Sequence, residues 1–277
     1  MMKALGCCVG VGLLALAAAG GATAAGLPDA IRQAGVLKLS VNATYAPMEY
    51  HDPATNELKG LDIDIATALA SRLGVKVTFT DVAFAELIPS LATGRTDFII
   101  SGLSDRASRR ETADFIDYLR TGAQFFVMAD GPAKVPEDLC GKKVGTTRST
   151  SFPGDIEAWS KKVCEAAGKP AVQYVPGENS IDVRNQLKQG RIDAAVQGSE
   201  TLPYAMQNEA GKYRILGAPF TLGYQGIAFR KGDGALLEVV KAALAAMIGD
   251  GSYKAILEKY ELGANAVTEP LVNASPL

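Results

Sequence analysis

Arg109 is the residue of this chain best placed to do chemistry. It follows an apolar strand, residues 98–100, and a small-residue turn with hydroxyls at Ser101 and Ser104. Backbone N–H groups at a strand end, two hydroxyls and a planar guanidinium converge on one point. That set suits a carboxylate: N–H and O–H groups donate to it, and arginine grips it with two parallel bonds. The plainer reading is a strand–loop–helix junction, with Arg109 near the helix start and paired at the surface with Glu111 or Asp105. Other groups look less reactive. Asp62 and Asp64 fall on different faces of a helix, and Asp62 reads as its N-cap. His51, the single histidine, sits in a polar loop. With one histidine and no CxxC, no metal site is expected.

The elements that must position Arg109 alternate in type. Residues 36–42 read as a strand. Asp62 opens a helix with Ile65, Ala66, Leu69, Ala70 and Leu73 at helical spacing and Gly74 as its stop. A strand over 75–80, a helix over 84–93 and a strand over 97–100 follow. This rhythm implies a parallel sheet covered by helices. It breaks near Asp130-Gly131-Pro132 and restarts, with strands over 142–146, 171–175 and 193–197 separated by helices over 152–167 and 181–190. A β-rich return over 220–230 leads to helices over 234–248 and 253–260.

The simplest architecture is α/β with two lobes, each a mostly parallel sheet flanked by helices. Two strands cross between them, near 123–128 and 221–228. Lobe one takes 26–126 and 222–277, lobe two takes 127–221, and the C-terminal helices pack back on lobe one. Ligands in open α/β sheets sit at the carboxyl ends of strands, and pockets favour domain interfaces. The loops after Asn42, Ile100, Thr147 and Gln197 should therefore meet around a site between the lobes.

Composition places the chain among soluble globular proteins, with 48% hydrophobic and 21% charged residues. Its net charge of −2 and lack of a basic block argue against a nucleic-acid partner. Residues 1–25 read as a secretory signal: Lys3, an apolar stretch over 7–19, and the small-residue site Ala22-Thr23-Ala24. The apolar run is too short to span a bilayer comfortably. Leu5-Gly6-Cys7 resembles part of a lipidation box, but its cysteine precedes the apolar region. Export to a periplasm is the expectation. Cleavage leaves Cys140 and Cys164, and an even pair in an exported protein reads as a disulfide within lobe two.

Several motifs in combination resemble the polar-amino-acid family (family 3) of periplasmic solute-binding proteins, which feed ABC importers. They are Tyr45-Ala-Pro-Met-Glu49, Gly60-Leu-Asp-Ile-Asp64, Leu87-Ile-Pro-Ser-Leu91, the segment from Asp97 to Phe115, Asp138-Leu-Cys-Gly-Lys-Lys-Val144, Gly190-Arg-Ile-Asp-Ala-Ala195 and Asp250-Gly-Ser-Tyr253. The likeness spans about 36–260 and implies the two-lobed periplasmic-binding-protein fold of type II. It also implies a monomeric receptor without cofactor or catalytic residues, a small carboxylate-bearing solute, and a membrane permease as partner. By position, Arg109 matches the arginine that pairs with the ligand α-carboxylate, and Ser101, Gly102 and Ser104 match the loop contacting carboxylate and amine. Thr150 and Ser151 match the lobe-two turn that closes on the carboxylate. Tyr45 and Phe84 match the aromatics flanking the ligand side chain.

The chain departs from that pattern in places. Asn42 stands where binders of basic amino acids carry an aspartate, Met48 replaces a phenylalanine and Arg106 a threonine. Gly198 stands where the family has an aspartate that pairs with the α-ammonium. Either Glu200 substitutes, or the ligand nitrogen is absent, substituted or differently placed. A glycine that opens room for ligand bulk favours the latter. Gln197 and Ser199 add polar groups at the same rim. The resemblance also admits a cyclohexadienyl dehydratase-like enzyme, with Glu200 as general acid.

Overall fold

A computed structural model describes residues 26–274. The expected signal segment lies outside them. Lobe one opens with helix α1 (Asp29–Ala34) and strand β1 (Val36–Val41). A small antiparallel meander follows, β2 (Thr44–Tyr45), β3 (Glu49–His51) and β4 (Leu58–Lys59). Then come α2 (Leu61–Arg72), β5 (Lys76–Asp81), α3 (Leu87–Ala92), β6 (Phe98–Ile99) and β7 (Ala113–Thr121). β1 runs parallel between β5 and β6. Leu37, Leu39 and Val41 share one face of it and are buried, Leu37 and Leu39 in the core that includes Leu61, Ile65 and Leu69 of α2.

Lobe two comprises β8 (Ala123–Met128), β9 (Lys143–Thr147), α4 (Phe152–Val163), β10 (Gln173–Gly177), α5 (Ser180–Lys188), β11 (Ala194–Gly198), α6 (Leu202–Asn208) and β12 (Tyr213–Leu216). Its sheet runs β10-β9-β11-β8-β12. Cys140 and Cys164 are joined as a disulfide within this lobe. The chain then returns as β13 (Gly223–Arg230), α7 (Gly234–Gly249), α8 (Ser252–Lys259) and β14 (Ala266–Val272). The lobe-one sheet has the order β14-β7-β13-β6-β1-β5. Leu236, Val240, Leu244, Met247, Tyr253 and Leu257 of α7 and α8 share its core with Leu61, Ile65 and Leu69 of α2.

The crossing points differ from expectation. β8 pairs entirely within lobe two, with β11 and β12, whereas β7 pairs with β13 and β14 in lobe one. The chain therefore leaves lobe one at Gly122, and a boundary after residue 126 would fall inside β8. The run 113–128 is continuously strand-like, so only backbone pairing reveals where one sheet ends. A Cβ at Gly122 would meet the Thr221 carbonyl oxygen at 2.1 Å, so the two crossing segments touch there and only glycine fits.

Candidate functional site

The loops at the strand ends meet in a cleft between the lobes. Lobe one contributes Asn42, Tyr45, Phe84, Gly102, Ser104 and Arg109 to its wall. Across from them stand Thr146, Thr147, Thr150, Ser151 and Phe152, with Ser180, Val196 and Gln197 completing lobe two's side. Tyr45, Phe84, Gly102, Ser104, Arg109, Thr150 and Ser151 thus come together as expected. Thr146, Thr147 and Val196, in strands, and Phe152 and Ser180, the first residues of α4 and α5, carry no sequence signature beyond their place next to these loops.

Arg109 reaches the cleft from a chain of turns rather than a helix start. Arg110 N–H bonds the Arg106 carbonyl and Ala113 N–H bonds the Arg109 carbonyl, after which β7 begins. Arg109 Nη1 donates to the Ser104 carbonyl at 2.8 Å, and its guanidinium lies 5.7 Å from the centre of the Phe84 ring. Neither expected surface partner takes it. Asp105 is gripped by Arg110, whose Nε and Nη2 bond its two oxygens at 2.5 and 2.6 Å. Among the described residues Arg109 makes no ion pair. Burial, with repulsion from Arg106, lowers its pKa to about 10, against the pull of Asp155 and Asp105. It stays protonated at neutral pH.

Facing it is the start of α4. The turn ahead of the helix is tied by Thr150 Oγ1 to the Thr147 carbonyl at 2.8 Å. Ser151 and Phe152, at the helix N-terminus, line the cleft. The Phe152 N–H donates to Thr150 Oγ1 at 3.3 Å and Pro153 has no N–H, so it is the positive end of the helix dipole that favours an anion there. The Ser151 Oγ is buried without a partner among the described residues. Arg106 spans from lobe one to Asp155 in the first turn of α4 at 2.7 Å, so it clamps the two lobes together instead of offering its charge to the cleft.

The Ser101–Gly102 turn serves the site from behind. Gly102 has φ +52°, and a Cβ there would meet the Tyr45 ring at 2.8 Å. Its N–H is not free for a ligand, because it donates to Asp62 Oδ2 at 2.7 Å. Ser101 is fully buried: its hydroxyl donates to Glu49 Oε1 at 3.0 Å and accepts from Asn42 N–H at 2.9 Å. Asp62 is therefore no N-cap. Gly60 precedes the helix, and Asp62 is a buried brace that also accepts from Tyr118 Oη at 2.6 Å. Burial and the neighbouring Asp62 raise the Glu49 pKa well above the carboxyl range, and burial lifts Asp62 to about 6. Glu49 Oε2 has no partner among the described residues, which suits a protonated acid beside the Asp62 carboxylate. His51 lies in β3 and meets Asp81 at 3.2 Å at the exposed surface.

Glu200 and Gly198 lie behind the lobe-two wall rather than in it. Glu200 is buried and accepts from Tyr45 Oη at 2.9 Å, from Gln225 Nε2 at 2.7 Å and from Thr121 Oγ1. Tyr45 Oη in turn accepts from the Gly198 N–H at 2.9 Å. Burial raises the pKa of both Tyr45 and Glu200. The glycine opens no room for ligand bulk, because a Cβ at 198 would lie 2.1 Å from Glu200 Oε1. A general acid so enclosed does not face an occupant of the cleft. Tyr50 and Tyr204 pack at 5.8 Å between ring centres, and Gln207 Nε2 donates to Glu261 at 2.6 Å. The lobes thus touch on several sides of the cleft.

Comparison with known proteins agrees with this geometry. Residues 37–264 match the family model of bacterial extracellular solute-binding proteins, family 3. The arginine-binding protein ArgT of Corynebacterium glutamicum is 29% identical over 91% of this chain and 82% of its own. The histidine-binding periplasmic protein of Escherichia coli K12 is 32% identical over 81% of this chain and 86% of its own. Among solved structures, an ancestral arginine-binding protein bound to glutamine is 37% identical, with a TM-score of 0.72 over 83% of this chain and 98% of that one. With its two lobes, its interlobe cleft and a family match over most of its length, the chain belongs to the bacterial extracellular solute-binding proteins, family 3.

Proposed function

We propose that this protein is an exported receptor that captures an amino acid between its lobes and delivers it to the membrane permease of an ABC importer. The observation that carries this reading is Arg109, a half-buried cation in the cleft wall without an ion pair among the described residues, facing the N-terminus of α4. A solute carboxylate supplies the missing counter-charge and contacts both lobes at once. Such a solute favours the closed arrangement over an open one, and the closed form is what a permease recognises. The names of the relatives, which are arginine- and histidine-binding proteins, agree with an amino-acid ligand. They also agree with a receptor rather than an enzyme. Secretion through residues 1–25 and a monomeric state complete the reading.

The test is calorimetric titration of the mature protein with a panel of amino acids and with the corresponding amino alcohols, which lack the carboxylate. Binding of amino acids alone, lost in Arg109→Ala, supports the reading. Equal binding of the amino alcohols refutes it.

A further inference from the structure

Two side-chain amides line the cleft, and they are in opposite states. Asn42 is committed to its own lobe: Nδ2 donates to the Val82 carbonyl at 2.7 Å, and Oδ1 accepts from Thr44 Oγ1 at 2.8 Å. Gln197, at the end of β11, is only 3% exposed, yet neither its Oε1 nor its Nε2 has a partner among the described residues. Buried polar groups are almost always satisfied, and leaving one unpaired is costly. Gln197 thus holds an NH2 donor group and a carbonyl acceptor in reserve in the wall of a cleft.

The charges of the wall narrow what can pair with it. Among the described residues its one charged side chain is Arg109, a cation, and no aspartate or glutamate lines it. A guanidinium or ammonium on the solute side chain would enter without a counter-charge and could use only the Gln197 oxygen. A second carboxylate could use only its nitrogen. A group that both donates and accepts satisfies the two atoms together, as in a paired amide dimer.

We propose that Gln197 is the specificity-determining residue of the cleft and that the solute is an amino acid whose side chain ends in a neutral carboxamide or ureido group. Glutamine, asparagine and citrulline represent the class. The proposal rests on the reading of the cleft as an amino-acid site and adds the identity of the distal group. It differs from what the names of the arginine- and histidine-binding relatives suggest, and agrees with the glutamine held by the ancestral protein.

The experiment is calorimetry on protein freed of co-purified solute by unfolding and refolding with its disulfide intact. The panel is glutamine, asparagine and citrulline against arginine, lysine, glutamate and norvaline. At least one member of the first group should bind about ten times or more tighter than every member of the second. Gln197→Leu should weaken that ligand by about tenfold or more and norvaline by less than about threefold. Gln197→Glu, which supplies a counter-charge in the same shape, should shift preference toward arginine even if the leucine variant folds poorly. Tightest binding of arginine or lysine by the wild type would overturn the proposal. So would an unchanged preference in both variants. An equal loss for norvaline in Gln197→Leu would also overturn it, by showing that Gln197 serves the α-ammonium. Failure of the whole panel to bind would instead remove the amino-acid reading on which the proposal stands.

Discussion

The Glu200 carboxylate fills the space that a side chain at Gly198 would need. A Cβ at 198 would stand 2.1 Å from Glu200 Oε1 and 2.4 Å from Oε2. Glu200, two residues along the chain, accepts there from Tyr45, Gln225 and Thr121. The wall is closed where the glycine alone suggested an opening.

Restoring an acid at that position by itself should therefore fail. Gly198→Asp drives the pinned Glu200 carboxylate out of its bonds and buries a second negative charge beside it. A loss of about 2–4 kcal/mol is expected, read from denaturant midpoints. Gly198→Asp combined with Glu200→Ala should recover at least half of that loss. Equal stability of the single and double variants would contradict the steric account.

Removing the Tyr45 hydroxyl should loosen the contact between lobes. Tyr45→Phe leaves Glu200 and the Gly198 N–H each short of a partner, worth about 1–3 kcal/mol. Small-angle scattering should show a more open ligand-free protein, and solute affinity should fall by about 5- to 150-fold. Unchanged scattering and affinity would mean that the bridge contributes nothing to closure.

Truncating Arg109 should affect binding far more than folding. Arg109→Ala leaves a solute carboxylate without its cation in a closed cleft, at about 2–5 kcal/mol, or roughly 30-fold to several thousand-fold in affinity. Arg109→Lys should also bind weakly, because an ammonium lacks the planar fork. Calorimetry separates these cases, and a change of about threefold or less in Arg109→Ala would remove the residue from the site.

The Glu49–Asp62 pair should make stability fall as pH rises. An acid with a raised folded pKa costs nothing while the unfolded chain is also protonated, near and below its ordinary value of 4.5. Above that, folding must hold a proton that the unfolded chain has released. Glu49→Gln mimics the protonated acid and removes this cost. The variant should match the wild type near pH 4.5 and gain on it by up to about 1.4 kcal/mol per pH unit above. Urea titrations at several pH values provide the measurement; a constant difference would show that Glu49 is ionised in the folded protein.

The disulfide should be complete and stabilising. Thiol titration of the denatured, unreduced mature protein should find none, and reduction should cost about 3 kcal/mol on the chain-entropy view for a sequence separation of 24. Two reactive thiols per chain would refute the pairing.

By itself the sequence determined the alternation of strands and helices, because hydrophobic spacing and glycine stops are local properties. It also placed the strand-end loops that meet in the cleft, and it singled out Arg109 by the residues just before it. Only the tertiary structure decided which donors face the cleft and which are used up behind it. The hydroxyl of Ser101 and the N–H of Gly102 bond Glu49 and Asp62, partners 52 and 40 residues away in the chain. Whether Glu200 faces solute or Tyr45, 155 residues distant, depends on how two lobes pack. The same holds for Gln197 and Asn42: both are amides at strand ends, and only the packing around them leaves one saturated and the other in reserve. Hydrogen-bond supply at a site is settled by long-range neighbours, and those are fixed by the fold rather than by local residue order.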